Sequence, residues 1–399
     1  MTPEIKQRIE QIRQGEVPDG YQKIKDGIFP IDWHIQRMKQ WITLAERPIT
    51  LEDDQNYYLV TVRRGFGGVD LRGEYFGKNI LVKNYFTVRQ GDFLISKRQI
   101  AHGACGVVPE PLDGAVVSNE YNVFVPNQGT NIAMFNLMMQ LPHYTRLFYL
   151  MSDGVHIEKL LFKTQAWMKR QLAMPPLEEQ KKIASILITQ DRVIELKEKR
   201  LAEKQRQKKY LMQQLLTGKK RASEFRGKWE KVQLRNALSV CHGQNQHSVE
   251  QENGMYPILG TGGEIGRTNS FLYDKPSILI GRKGSINKPM YIEIPFWTID
   301  TLFYCKIKPG YYPKFLFFKF QSINWNKYDE SSGIPSLSAS TIGSVEILVP
   351  EFTEQIAIAK VLSTADREID LLRQDIEQEK KKKKALMQLL LTGIVRVKI

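Results

Sequence analysis

The chain has 399 residues and a mass of 46.2 kDa, more than two ordinary domains of ~150 residues, so two or more domains are expected. Apolar residues make up 42% and aromatics 10%, which excludes wholesale disorder, and no window approaches the ~18 apolar residues of a membrane span. Lys and Arg number 58 against 43 Asp and Glu, a net charge of +15 with a pI near 9.5, which points first to nucleic acid and less to an acidic membrane or protein.

In chain order, residues 1–30 read as a short helix and linker: Ile5, Ile9 and Ile12 share a face and Gly15 stands at its end. The charged run from Met1 to Glu10 is not a secretory signal. Residues 31–174, opened by Trp33, mix strand-like runs with glycine and proline turns. The expected strands are Tyr57–Val62, Asn79–Val82, Asp92–Ser96 and Tyr121–Val125, and a helical stretch runs from Asn131 to Leu150. Residues 175–221 form one long helix. Residues 222–349, opened by Trp229, repeat the mixture with strands Ser277–Gly281, Met290–Ile294 and Leu302–Ile307 and a helix from Pro313 to Ser322. Residues 350–399 form a second long helix. The expected class is α+β, with two globular domains on curved, mostly antiparallel sheets, separated by two long antiparallel coiled-coil helices in a pseudo-twofold arrangement.

The strongest signal is a repeat. Pro175 through Gly218 aligns without a gap on Pro350 through Gly393, with about twenty identities in 44 positions. Both copies begin Pro-x-x-x-Glu-Gln (Glu179-Gln180; Glu354-Gln355) and end Leu-Leu-Thr-Gly. Proline and acidic residues suit the start of a helix, and Gly218 and Gly393 suit a left-handed cap at its end. Spacing of four then three runs through Ile183, Leu187, Gln190, Ile194, Lys197, Leu201, Lys204, Lys208, Leu211 and Leu215. It recurs from Ile358 to Leu390, which argues for a coiled-coil seam.

Two pairs of loops carry the polar chemistry. In the first globular segment they hold Arg63 and Arg64, then Lys97, Arg98, Gln99 and His102. In the second they hold Arg267 and Asn269, then Arg282, Lys283, Ser285, Asn287 and Lys288. Adjacent cations in glycine loops suit groove reading, because glycine lets the backbone approach a duplex, Arg grips guanine and Asn or Gln grips adenine. The plainer alternative is that the glycines make tight hairpins and the cations are solvated. The charge surplus is largest on the first long helix, so charge alone does not locate recognition, and the run from Lys380 to Lys384 reads most simply as a solvated face.

Catalytic signatures are missing. Gly260-x-Gly262 followed by Gly266 fails as a dinucleotide fingerprint, there is no P-loop, and the Asn-Pro-Pro-aromatic signature of amino-methyltransferases is absent. Glu195-x-Lys197 is similar to part of a nuclease site but lies on the coiled coil without a partner carboxylate strand. His34, His102, His143, His156, His242 and His247 form no ligand-spaced pair, so neither a catalytic nor a metal site is assigned. Cys105, Cys241 and Cys305 lie far apart without a C-x-x-C pair, which fits a reducing cytosol rather than a disulfide framework or structural zinc.

A duplicated helix with these end motifs, alternating with two dissimilar segments opened by Trp, resembles the specificity subunit of type I restriction–modification systems. The resemblance covers essentially the whole chain. It implies two target recognition domains, at 31–174 and 222–349, each reading half of a split, asymmetric DNA site. It also implies that the helices dock two methyltransferase subunits, through Leu211, Leu215, Leu216, Gly218, Leu386, Leu390, Leu391 and Gly393, with restriction subunits as further partners. No cofactor is expected in this chain; S-adenosylmethionine, ATP and Mg would belong to the partners. A cytoplasmic, non-catalytic DNA-binding subunit is the reading. The alternatives are a specificity subunit for a fused methylase–nuclease, a methyltransferase or nuclease acting alone, and a coiled-coil adaptor without base readout.

Overall fold

The computed structural model describes residues 2–24, 27–154 and 160–398; His156 lies outside them. The chain divides into two compact units, Met1–Leu196 with Glu377–Ile399, and Lys197–Ile376. The two long helices, Leu177–Leu215 and Phe352–Leu390, have 39 residues each, and each unit takes the start of one and the end of the other.

In the first unit the strands that matter are β1 (His34–Arg37), β2 (Ile42–Leu44), β3 (Asn56–Val62), β4 (Val69–Phe76), β5 (Phe93–Ser96), β6 (Cys105–Val107), β7 (Val116–Val117), β8 (Tyr121–Pro126) and β9 (Gln171–Met174). In the second they are β10 (Glu230–Gln233), β11 (Leu238–Cys241), β12 (Tyr256–Gly260), β13 (Gly263–Thr268), β14 (Ser277–Gly281), β15 (Met290–Ile292), β16 (Trp297–Thr298), β17 (Leu302–Ile307) and β18 (Glu346–Val349). The first unit pairs β6-β5-β8-β2 in one antiparallel sheet, and the second pairs β15-β14-β17-β11 in the same way. β3 and β4 form an antiparallel hairpin with a bulge at Leu59/Val60, flanked by parallel β7; β12, β13 and β16 do the same with a bulge at Ile258/Leu259. Even the closing pairs match, β1 with β9 and β10 with β18. The globular segments thus share one strand plan written in dissimilar residues, to which the first adds two strands, Asn84–Thr87 and Pro48–Thr50, beyond β7.

Each core locks its domain to the helices. In the first unit Phe93, Phe124, Phe135, Phe148 and Trp167 pack with Ile183, Ala184 and Leu187 from the start of one long helix and Leu390 and Leu391 from the end of the other. In the second, Phe303, Phe315, Phe318 and Trp325 pack with Leu216, Ile358, Ala359 and Leu362. Burial of aliphatic faces at both helix ends is the main force holding these junctions, at roughly 1.5–3 kcal/mol per large side chain.

The repeated end motifs meet one another. Gln180, fully buried, accepts from Asn131 N–H (2.8 Å) and donates to Gly129 O (3.0 Å) and Pro175 O (2.8 Å). Gln355 accepts from Tyr312 N–H (2.8 Å) and donates to Gly310 O (3.2 Å) and Pro350 O (3.0 Å). The buried Glu179 carboxylate takes both arms of Arg396 (2.7 Å each), which also grips Asp32 at 2.9 and 2.7 Å. Buried Glu354 takes Arg221 at 2.8 and 2.7 Å. Arg221 and Arg396 each stand three residues past the terminal glycine of one copy, so the end of one copy is clipped to the start of the other by a bidentate pair. Gly218 and Gly393 both have φ 72°, the left-handed cap expected of them, and a side-chain carbon there would press on Trp229 at 3.3 Å and run into Pro30 at 2.5 Å respectively.

The helices run antiparallel in both units. In the first, Gln190 donates to Glu379 (2.6 Å) and Lys383 pairs with Asp191 (2.6 Å). In the second, Lys197 pairs with Asp375 (2.8 Å), Lys204 with Glu368 (2.6 Å) and Lys208 with Asp366. The lysines in the seam are therefore ion-paired across the helices instead of solvated.

Two local expectations fail. Asn79–Val82 is not a strand: a single 3-10 turn, Gly77–Asn79, precedes an irregular segment in which Ile80 alone is buried and Leu81 is 99% exposed. Asn131–Leu150 is two helices, Ile132–Met139 and Pro142–Leu150, because proline cannot supply the N–H that would continue the first. No helix among the described residues is long and apolar enough to cross a membrane.

Candidate nucleic-acid interface

In the first unit the two loops meet. Gly65 N–H donates to His102 O (2.7 Å) and Phe66 N–H to Gly103 O (2.9 Å). Phe66 has φ 58°, unusual for a residue with a side chain, and is held there by these bonds while its ring lies on Gly103. Gly106 passes so close to Gly68 that a side-chain carbon would stand 2.9 Å from its backbone. The hairpin tip and the loop after β5 therefore form one surface. On it Arg63 pairs with Asp70, Arg98 is held by Glu120 at 2.7 and 3.4 Å, and Arg64 is exposed. Lys97 and His102 are half-buried. Gln99 turns its amide oxygen inward, buried without a hydrogen-bond partner among the described residues.

The second unit repeats the device. The β12–β13 turn approaches the loop after β14, since a side-chain carbon on Gly284 would lie 3.9 Å from Thr261 Oγ1. Arg282 donates to Asp300 O (3.2 Å), and its backbone N–H bonds Thr301 O (2.8 Å). Lys283, Ser285 and Lys288 are exposed, while Asn287 spends its carbonyl on Trp325 N–H (3.0 Å), leaving its amide N–H groups to face outward chemistry. Arg267 and Asn269 are not with them. Their backbones sit at the end of β13 away from the turn. Arg267 turns its guanidinium back to Glu264 (3.0 Å), one residue from the turn, and Asn269 bonds Gln251 (2.6 Å). Carboxylates beside Arg63, Arg98, Arg267 and Arg282 set the guanidinium directions in advance, which favours directed contacts over a diffuse positive face.

Sequence reasoning missed a third loop, residues 329–338. It bonds the second-unit cation loop directly, through Gly284 N–H to Pro335 O (2.8 Å) and Leu337 N–H to Arg282 O (2.9 Å). The Ser-Gly and Ile-Pro steps within it were the available signal.

Of the residues assigned to subunit docking, Leu216, Leu390 and Leu391 are buried in their own unit's core, and Leu211, Leu215 and Leu386 pack against it. Gly218 and Gly393 are the helix caps. The helices instead expose Ile186 and Leu196 in the first copy and Val361 and Leu371 in the second, at the same repeat positions. No group of three or more His, Cys, Asp or Glu among the described residues is placed to hold a metal.

Two loop-bearing recognition units built on the two copies of one helical repeat define a duplicated binding scaffold. The family model for the type I restriction modification DNA specificity domain matches twice, over residues 30–205 and 227–380, and the chain belongs to that family. A chain named as the MjaX type I restriction enzyme specificity subunit of Methanocaldococcus jannaschii is 24% identical over 95% of this chain and 97% of its own length. The MjaVIII specificity subunit of the same organism is 29% identical over 61% of this chain and 65% of its own. The crystal structure of a type I restriction-modification S subunit from M. genitalium shares the fold, with TM-score 0.60 at 15% identity over 90% of this chain and 96% of that one.

Proposed function

We propose that this type I specificity subunit reads a bipartite, asymmetric DNA site, one half with each unit, and serves as the DNA-recognition chain of a complex whose chemistry lies in other subunits. The observation that carries the reading is the paired loops: in both units a bulged hairpin tip lies against a glycine loop bearing adjacent cations, on the same topology but with different residues. One scaffold with two side-chain sets is what two different half-sites require. The reading residues are Arg63, Arg64, Lys97, Arg98, Gln99 and His102 for one half, and Arg282, Lys283, Ser285, Asn287 and Lys288 for the other, with Arg267 and Asn269 on its flank. Exposed cations would track phosphates and the polar side chains base edges.

The partners are double-stranded DNA, two methyltransferase subunits and restriction subunits, working in the cytoplasm. S-adenosylmethionine, ATP and Mg would be bound by those subunits. The domain limits 31–174 and 222–349 mark the reading modules, and 175–221 and 350–399 the docking helices. Exposed Ile186, Leu196, Val361 and Leu371 support docking by the helices, since equivalent apolar positions left uncovered in both copies suit two identical partners. Long-read mapping of methylated adenines in cells carrying the chain with its partner methylase tests the reading. A two-part motif with an unread gap is expected; a contiguous motif would overturn it.

A further inference from the structure

The loop at residues 329–338 presents an apolar side chain to water on a stiffened frame. Ile334 is 71% exposed at its tip, between Gly333 and Pro335. Asp329 Oδ1 accepts from Ser331 N–H (3.0 Å), Ser331 Oγ (2.9 Å) and Ser336 N–H (2.9 Å). Glu330 accepts from Ser338 Oγ (2.8 Å) and from Thr341 Oγ1. These bonds hold both carboxyls below their usual range, so the loop stays braced at any pH near neutrality. Leu337, 3% exposed, anchors one end in the core of the unit. The other face of the loop is bonded to the strip running from Arg282 to Gly284.

An isoleucine on a floppy tip would fold back onto apolar surface. This one is held out by two carboxylates, immediately beside Arg282 and Lys283. Lys283, Ser285 and Lys288 stand exposed on the strip to which the loop is bonded, and with DNA as the proposed ligand of that strip, the one apolar feature a duplex offers at its base edges is the thymine methyl in the major groove. We propose that the loop is a third reading element of the second unit, in which Ile334 contacts the C5-methyl of a thymine in the second half-site. It rests on the DNA-reading role proposed above and names one contact within it.

The test pairs a change in the protein with a change in the DNA. The full chain, with its methyltransferase partner, is titrated with duplexes carrying the mapped motif, each thymine of the second half-site replaced in turn by uracil, which lacks only the methyl. For the wild type, one replacement should weaken binding about fourfold, the worth of one buried methyl. For Ile334→Ala that replacement should make no further difference, while uracil in the first half-site affects neither protein. Equal sensitivity of wild type and variant at every thymine would overturn the contact and leave bipartite reading intact. Failure of the wild type to prefer its motif over unrelated DNA would instead overturn the DNA-reading role. Ile334→Val, which keeps most of the side chain, should retain the uracil sensitivity; its loss would also count against the contact.

Discussion

The buried glutamines at the two helix starts hold each unit together, and Gln355→Met measures by how much. Methionine matches glutamine in length and leaves little cavity, so the change removes hydrogen bonds and little else. Three are lost: Tyr312 N–H is left without its acceptor, and the carbonyls of Gly310 and Pro350 each lose a donor. Tyr312 caps the helix Pro313–Ser322, which carries Phe315, Phe318 and Phe320 into the core, so the bond couples two elements of the unit. An orphaned buried polar group costs about 1–3 kcal/mol, and a carbonyl with a second lone pair sits at the lower end. The sum is about 3 kcal/mol. Urea unfolding of the full chain, with peptide-resolved amide exchange, reads the cost and its location. Exchange should quicken around 310–320 and 350–362. The matched Gln180→Met should cost a similar amount and quicken exchange around 129–139 and 175–187 instead. A cost below about 0.5 kcal/mol for both variants would refute the reasoning, since surface substitutions alone reach that size.

Three further outcomes follow from named contacts. Lys319 is 5% exposed, bonds Leu216 O over the Trp229 ring, and is lowered by burial to about 8. A lysine below its ordinary 10.5 disfavours the fold while charged, so wild-type stability should gain on Lys319→Met as pH rises from 8 to 10, by about 2 kcal/mol; parallel pH profiles in denaturant melts would contradict this. Arg282→Ala with Lys283→Ala should weaken binding, flatten the salt slope by about two and blur the second half-site alone; unchanged slope and motif would remove the loop from the DNA. Leu196→Lys with Leu371→Lys should abolish co-purification of the methyltransferase while leaving thermal stability within about 0.5 kcal/mol, because both side chains are at least half exposed; intact co-purification would place docking elsewhere.

The long helices were legible because a gapless repeat with capping residues at both ends leaves few other structures possible, and Gly218 and Gly393 adopt the conformation the motif requires. The meeting of the loops in each unit was half legible: the glycines and cations announced the loops, but only strand pairing brings residues 63–68 against 102–106. The shared topology of the two domains was hidden, because strands of four to six residues specify pairing through tertiary contacts rather than through residue identity. Asn79–Val82 misled for the same reason: Ile80 alone packs on strand residues, Tyr57 and Leu59, while Leu81 and Val82 face water. The Arg221 and Arg396 clips were within reach of the alignment, which makes them identical, yet their role needed the opposite helix end beside them.

The central claim is that each unit reads its own half of the DNA site. The direct measurement is adenine-methylation mapping in cells whose copy of the chain has residues 31–174 replaced by the corresponding segment of another type I specificity subunit, with the partner methylase unchanged. One half of the motif should be new and the other retained. Both halves changing together, with methylation still active, would contradict it.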